Sequence, residues 1–179
     1  MLRIILIYGV IGGVIVAVPM LVSMLTTPAG AIPDNAALYG YVSMLLAFTM
    51  VFVGIKHYRD KVCGGVIRFL PALGVGLGIS AVASLFWVFG WEIVLATGFD
   101  FGGAYMDSVV AAAQGRGAST AEIERIRAET AEALALYANP LTRLPVTFIE
   151  MFPLGVLISL VSAGLLRNSR FLPGRGVAG

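Results

Sequence analysis

Two carboxylates interrupt otherwise apolar sequence: Glu92 lies near the end of a run that begins at Phe69, and Glu150 lies about six residues inside a run from Leu144 to Leu166. An ionisable group placed in hydrocarbon is costly unless it faces a partner or a water-filled space, so both are candidates for a proton or cation site. A structural role competes. Both sit at a similar shallow depth, within reach of the interface, where Trp, Tyr, Ser or Arg143 could donate hydrogen bonds to them. Should the two approach each other, like-charge repulsion would make them share a proton. Glu92, Glu150 and Arg143 therefore form the candidate intramembrane polar site.

A second group is basic. Lys56, Arg59, Lys61 and Arg68 flank a short polar connection and could lie against anionic lipid head groups, each contributing on the order of 1 kcal/mol. Alternatively they only fix topology. Trp87 and Trp91, one helical turn apart, suit an aromatic belt at the membrane surface better than a ligand site. His57 is the single histidine, which excludes an imidazole metal cluster and gives little support to a general base. Gly74-Val75-Gly76-Leu77-Gly78 lies inside an apolar run, not at a strand-to-helix turn, so it is no phosphate loop. No nucleophile is paired with a base, and serines inside the runs read as interhelical donors. The expectation is a non-enzymatic protein with no catalytic residue, no metal and no cofactor.

The elements that must position these groups follow from composition. Of 179 residues, 59% are hydrophobic and 12% charged, with a mean hydropathy of +0.93. Soluble domains average roughly 45–50% apolar and 25% charged residues. The chain therefore reads as a single all-α membrane domain over 1–179. A net charge of +2 is too small to indicate nucleic acid. One cysteine, Cys63, allows no internal disulfide.

Four runs are long enough to cross a hydrocarbon core of about 30 Å: about 4–25, 37–55, 69–97 and 144–166. The first spans about 33 Å as a helix. A signal peptide with Ala29-Gly30-Ala31 as its cleavage site is the competing reading, but the run exceeds the usual h-region of about 7–15 residues. Pro28, Gly30 and Pro33 mark a loop, and Lys56 to Lys61 followed by Gly64-Gly65 mark an abrupt end to the second span and a tight hairpin. Pro71 opens the third. The segment 98–142 is ordinary polar sequence, broken at Gly115-Arg116-Gly117 into an antiparallel helical hairpin resting on the membrane face or the outer helix ends. In its second helix Ser119 and Glu122 fit a capping box, while Ile123, Ile126, Leu134 and Tyr137 share one face. Asn139-Pro140 ends that helix. Residues 167–179 form a tail.

Arg3, the four basic residues between the second and third spans, and Arg167, Arg170 and Arg175 fall on one side of the membrane, against none in the first outer loop and Arg116, Arg125, Arg127 and Arg143 in the long one. Basic residues concentrate in the cytoplasm, so both termini are expected there and the helical hairpin on the outer, periplasmic side. Small residues recur every four positions in three spans: Gly9, Gly13 and Ala17; Ala72, Gly76, Ser80 and Ser84; Gly155, Ser159 and Ala163. Such rows let backbones approach, so these three spans should make the tight core of a four-helix bundle. The second span offers only Ser43, Ala47 and Val51.

Gly54-Ile55-Lys56-His57-Tyr58-Arg59-Asp60-Lys61, followed by Gly64-Gly65, Ala83-Ser84 and Trp91-Glu92, resembles a bacterial family of four-helix membrane proteins known as a domain of unknown function. The second half is similar to the family's last helix: Tyr137-Ala138-Asn139-Pro140, Arg143, Thr147-Phe148-Ile149-Glu150-Met151-Phe152-Pro153-Leu154-Gly155, Ser162-Ala163 and Leu166-Arg167. Val62-Cys63 departs from the polar pair expected in relatives, so Cys63 is not a family-wide functional group. The resemblance implies four spans in a bacterial inner membrane and no assigned reaction. The leading expectation is an accessory or interaction module, with membrane lipids and either a membrane-protein partner or a second copy of the chain as partners. The alternative is a small oligomeric transporter or channel, linked to protons or cations through Glu92 and Glu150.

Overall fold

Long apolar stretches with few helix breakers satisfy every backbone group internally only as helices. The computed structural model describes residues 1–26 and 36–173, and its described residues are helical with no strand. The expected loop with Pro28 and Pro33, the Ala29-Gly30-Ala31 stretch and Arg175 lie outside the described residues. Six helices follow in order: α1 Leu2–Thr26, α2 Ala36–Lys61, α3 Phe69–Ala96, α4 Phe101–Gly115, α5 Thr120–Ala138 and α6 Pro140–Leu166. Helices α1, α2, α3 and α6 are each long and apolar enough to cross a membrane.

Two boundaries differ from expectation. Helix α2 does not stop at Ile55 but continues through the charged residues to Lys61. Lysine, arginine and aspartate are acceptable helix residues in water, and Lys56 pairs with Asp60 one turn on at 2.5 Å. The break comes at Gly64 and Gly65, whose φ of 66° and 92° favour residues lacking a Cβ. Helix α6 begins at Pro140, not Leu144. Asn139 caps it by accepting from Leu141 N at 3.0 Å, and a proline in the first turn forfeits no hydrogen bond.

The four long helices form a square in which α1 and α6 both flank α3, and α2 closes the ring between α1 and α6. Between the parallel α1 and α3, a side chain of one helix faces a glycine of the other at successive turns: Ile5 sits on Gly78, Val82 on Gly9, Phe86 on Gly13, and Met20 with Ala17 on Gly90. Between the antiparallel α3 and α6, Gly76 meets Ser159, and Gly155 meets Ser80. Ser159 Oγ donates to Gly155 O at 2.7 Å, which leaves Ser80 Oγ to donate to Ser159 Oγ at 3.2 Å. Ser84, the next in that row, is wholly buried with its hydroxyl unpaired, so its contribution is small size.

Helix α2, with no glycine row, is not peripheral. A greater share of its apolar window is buried, 39%, than of α1, 28%, or α6, 22%. It fills the centre with Phe48, Val51 and Ile55, all fully buried, and gains closeness to α1 where Gly12 meets Ala47 O and Gly54 meets Tyr8.

The α4–α5 hairpin turns at Gly117, with φ 76°. Asp100 caps α4 through Gly103 N at 3.0 Å. Ser119 caps α5 through Glu122 N at 3.3 Å, the main-chain half of the expected capping box. Helix α5 has no buried residue; Ile123, Ile126, Thr130, Leu134 and Tyr137 are half-buried at helical spacing and the rest are exposed. The hairpin stands on the helix ends by its base, where α5 meets α6. There Phe101 packs edge-on against Trp91, with ring centroids 5.2 Å apart, and lies 5.4 Å from Tyr137.

Candidate functional site

The two carboxylates have separate partners. Glu92, on the last turns of α3, receives a two-pronged grip from Arg143 on the first turns of α6: Nε donates to Oε1 at 2.7 Å and Nη2 to Oε2 at 2.6 Å. The guanidinium fork matches a carboxylate in plane and spacing, so this is the strong form of ion pair. Both side chains are largely covered, at 14% and 30% exposure for Arg143 and Glu92. Arg143 Nη1 also reaches Ala138 O at 3.4 Å, tying α3, the end of α5 and α6 at one point.

Glu150 lies two turns further along α6. Among the described residues its one hydrogen bond is long: Trp87 Nε1 donates to Oε2 at 3.4 Å. Glu92 and Glu150 share no hydrogen-bond partner among the described residues. Arg143 belongs with Glu92, and Glu150 faces a cavity.

That cavity, about 200 Å³ in volume, occupies the hairpin end of the bundle. Its walls combine aromatic rings from separate elements, Tyr39 of α2, Trp87 and Trp91 of α3, Phe101 of α4 and Tyr137 of α5, with Met20 of α1 and the Glu150 carboxylate. The Tyr137 hydroxyl hydrogen-bonds Thr147 Oγ1 at 3.3 Å. Trp91 Nε1 is buried against that hydroxyl, interacting with it without reaching good hydrogen-bond geometry. Burial pushes the Tyr137 phenol above its ordinary pKa, and the nearby Glu150 charge adds to the rise. Among the described residues, no lysine, arginine or histidine lines the cavity. Sequence reasoning assigned the tryptophans to a surface belt and passed over Tyr39, Phe101 and Tyr137. The available signal was that an aromatic residue stands near the hairpin end of every one of those elements.

At the opposite end the basic residues divide. Lys61 and Arg68 are exposed and Lys56 is half-exposed beside Asp60. Arg59 is not available to lipid, which corrects its assignment as a lipid contact: it has no exposed surface at all. Its Nε donates to Asp60 Oδ1 at 2.7 Å, Nη1 to Phe171 O at 2.9 Å and to Leu166 O at 3.5 Å, and Nη2 to Leu172 O at 2.5 Å. A buried guanidinium needs such partners. The carbonyls it holds include the last turn of α6 and the segment beyond, where Leu172 is kept at a left-handed φ of 47°. Nearby, the Tyr8 hydroxyl bonds His57 Nδ1 at 3.1 Å, joining α1 to α2. No group of His, Cys, Asp and Glu suited to a metal exists among the described residues.

A family model described as Protein of unknown function (DUF4199) matches residues 7–168. No curated protein and no solved structure matches the chain.

Proposed function

Since the chain belongs to the DUF4199 family, whose function is unknown, we propose, from geometry and charge, that it is a non-enzymatic module of a bacterial inner membrane, with both termini in the cytoplasm and the α4–α5 hairpin presented on the outer side to a membrane-protein partner or a second copy. The observation that carries this reading is the hairpin itself. Two helices are held to the bundle only at their base, and α5 buries no residue within the chain. A surface kept at that distance from the core contributes little to the stability of the bundle and is free for contact.

The transport alternative has less support. A conducting path needs polar groups along its length, whereas the bundle centre is filled by Val16, Phe48, Val51, Val75 and Met151, none of them exposed. Ser80 and Ser159, buried within it, are hydrogen-bonded to each other. Arg143 neutralises Glu92, leaving Glu150 without a second carboxylate to relay a proton.

The topology is testable with the native thiol. Cys63 lies in the turn between α2 and α3 and is the only cysteine. In spheroplasts, a membrane-impermeant maleimide should label Gln114→Cys in a Cys63→Ser background, while Cys63 of the unaltered protein should react only after permeabilisation. The reverse pattern would overturn the orientation. Crosslinking from Gln114→Cys, followed by mass spectrometry, should recover a partner membrane protein or a homodimer. Recovery of only uncrosslinked chain would remove the interaction reading.

A further inference from the structure

The cavity at the hairpin end has a composition that selects its ligand. We propose that it binds a small organic cation, an ammonium or quaternary ammonium group, held against the faces of Trp87 and Trp91 with the Glu150 carboxylate as counter-ion. This goes beyond an interaction role and does not depend on which way the bundle faces.

Three observations converge. Trp87, Trp91, Phe101 and Tyr137 wall one cavity of about 200 Å³, a space suited to a small ligand. Electron-rich aromatic faces attract cations, tryptophan most strongly, and the attraction grows where water is excluded. The charge balance also points to a cation. Arg143, the nearest basic residue along α6, is paired with Glu92; among the described residues no basic side chain lines the cavity, and Glu150 takes one long bond from a neutral indole. Glu150 is exposed and has no counter-ion among the described residues; a bound cation would supply one. Lastly, Glu150 keeps solvent-accessible surface, so its remaining acceptor positions are open to a ligand.

An ammonium group could come from a free solute or from the head group of an aminophospholipid. Both tryptophans of the protein line the cavity, so intrinsic fluorescence reports on this site alone. The purified full chain in mild detergent is titrated with choline, and separately with 3,3-dimethylbutan-1-ol, its neutral isostere. Choline should give a saturable change in emission, the isostere a response at least tenfold weaker, and Glu150→Gln a tenfold or greater loss of choline affinity, with Glu150→Asp in between. Absence of a saturable change, or equal responses to choline and the isostere, overturns the proposal. The isostere comparison uses unaltered protein, so the test stands even if Glu150→Gln fails to fold. The same titration in nanodiscs separates the sources. Weaker choline binding in phosphatidylethanolamine than in phosphatidylglycerol identifies the lipid amine as occupant, and equal binding identifies a solute. Failure of the topology labelling would leave this result unaffected.

Discussion

Arg143 and Glu92 are the clearest case in which a single pair decides local order. Each is mostly covered, so truncating one strands the other, whereas removing both leaves neither charge exposed to hydrocarbon. Arg143→Met should cost roughly 1–3 kcal/mol, between the values for exposed and buried pairs, seen as a lower Tm in detergent. Adding Glu92→Gln should recover much of that loss. If the double variant is no better than the single, the pair is not coupled. The two serines of α3 make an opposite contrast. Ser84 is buried with its hydroxyl unpaired, so Ser84→Ala should leave stability unchanged or raise it, since it removes an unsatisfied polar group. Ser80→Ala loses a bond to Ser159 and should cost about 0.6 kcal/mol, typical of interhelical bonds in membranes. Equal effects on thermal melting would show that the hydroxyls are not distinguished by their surroundings.

At the scale of helices, one element serves two neighbours. Along α3, Gly76 and Ser80 face α6 while Gly78, Val82, Phe86 and Gly90 face α1. The four-residue rows in α1, α3 and α6 were legible in the sequence because small residues at that spacing stand out against leucine and valine. The complementary row was not, because Ile5, Val82 and Phe86 look like ordinary lipid-facing residues until their glycine partners are known. The central place of α2 was hidden for the same reason: it packs with Phe48, Val51 and Ile55, and bulky apolar residues are equally at home in lipid. Likewise the pairing of Glu92 with Arg143 was within reach of the sequence, whereas Arg59 was grouped with its exposed neighbours, since nothing local marks one basic residue of four as buried. The backbone approach gives a paired test within α6. A Cβ on Gly155 would lie 2.6 Å from that of Ser80, but one on Gly164 would meet nothing within 4 Å. Gly155→Leu should cost about 1–3 kcal/mol or more from overpacking, and Gly164→Leu close to nothing, by melting in detergent. Equal losses would mean that glycine acts through the helix backbone and not through interhelical contact.

Over the whole molecule, the two ends of the bundle are built differently. The basic end is packed shut by Ile55, Ile67, Leu166 and Arg59, while the hairpin end contains the cavity. Stability resides in the four long helices, so replacing residues 106–133 with a flexible linker should lower Tm by only a few degrees. A large loss of stability would place the hairpin inside the folding unit. The closed end bears on biosynthesis. Arg59 is separated by 107, 112 and 113 positions from the carbonyls of Leu166, Phe171 and Leu172 that it binds. The ribosome therefore makes this arginine long before it makes most of its acceptors. Until Leu172 has left the exit tunnel this cation lacks most of its acceptors, so the closed end of the bundle can be completed only after the last turn of α6 and the segment beyond it have emerged.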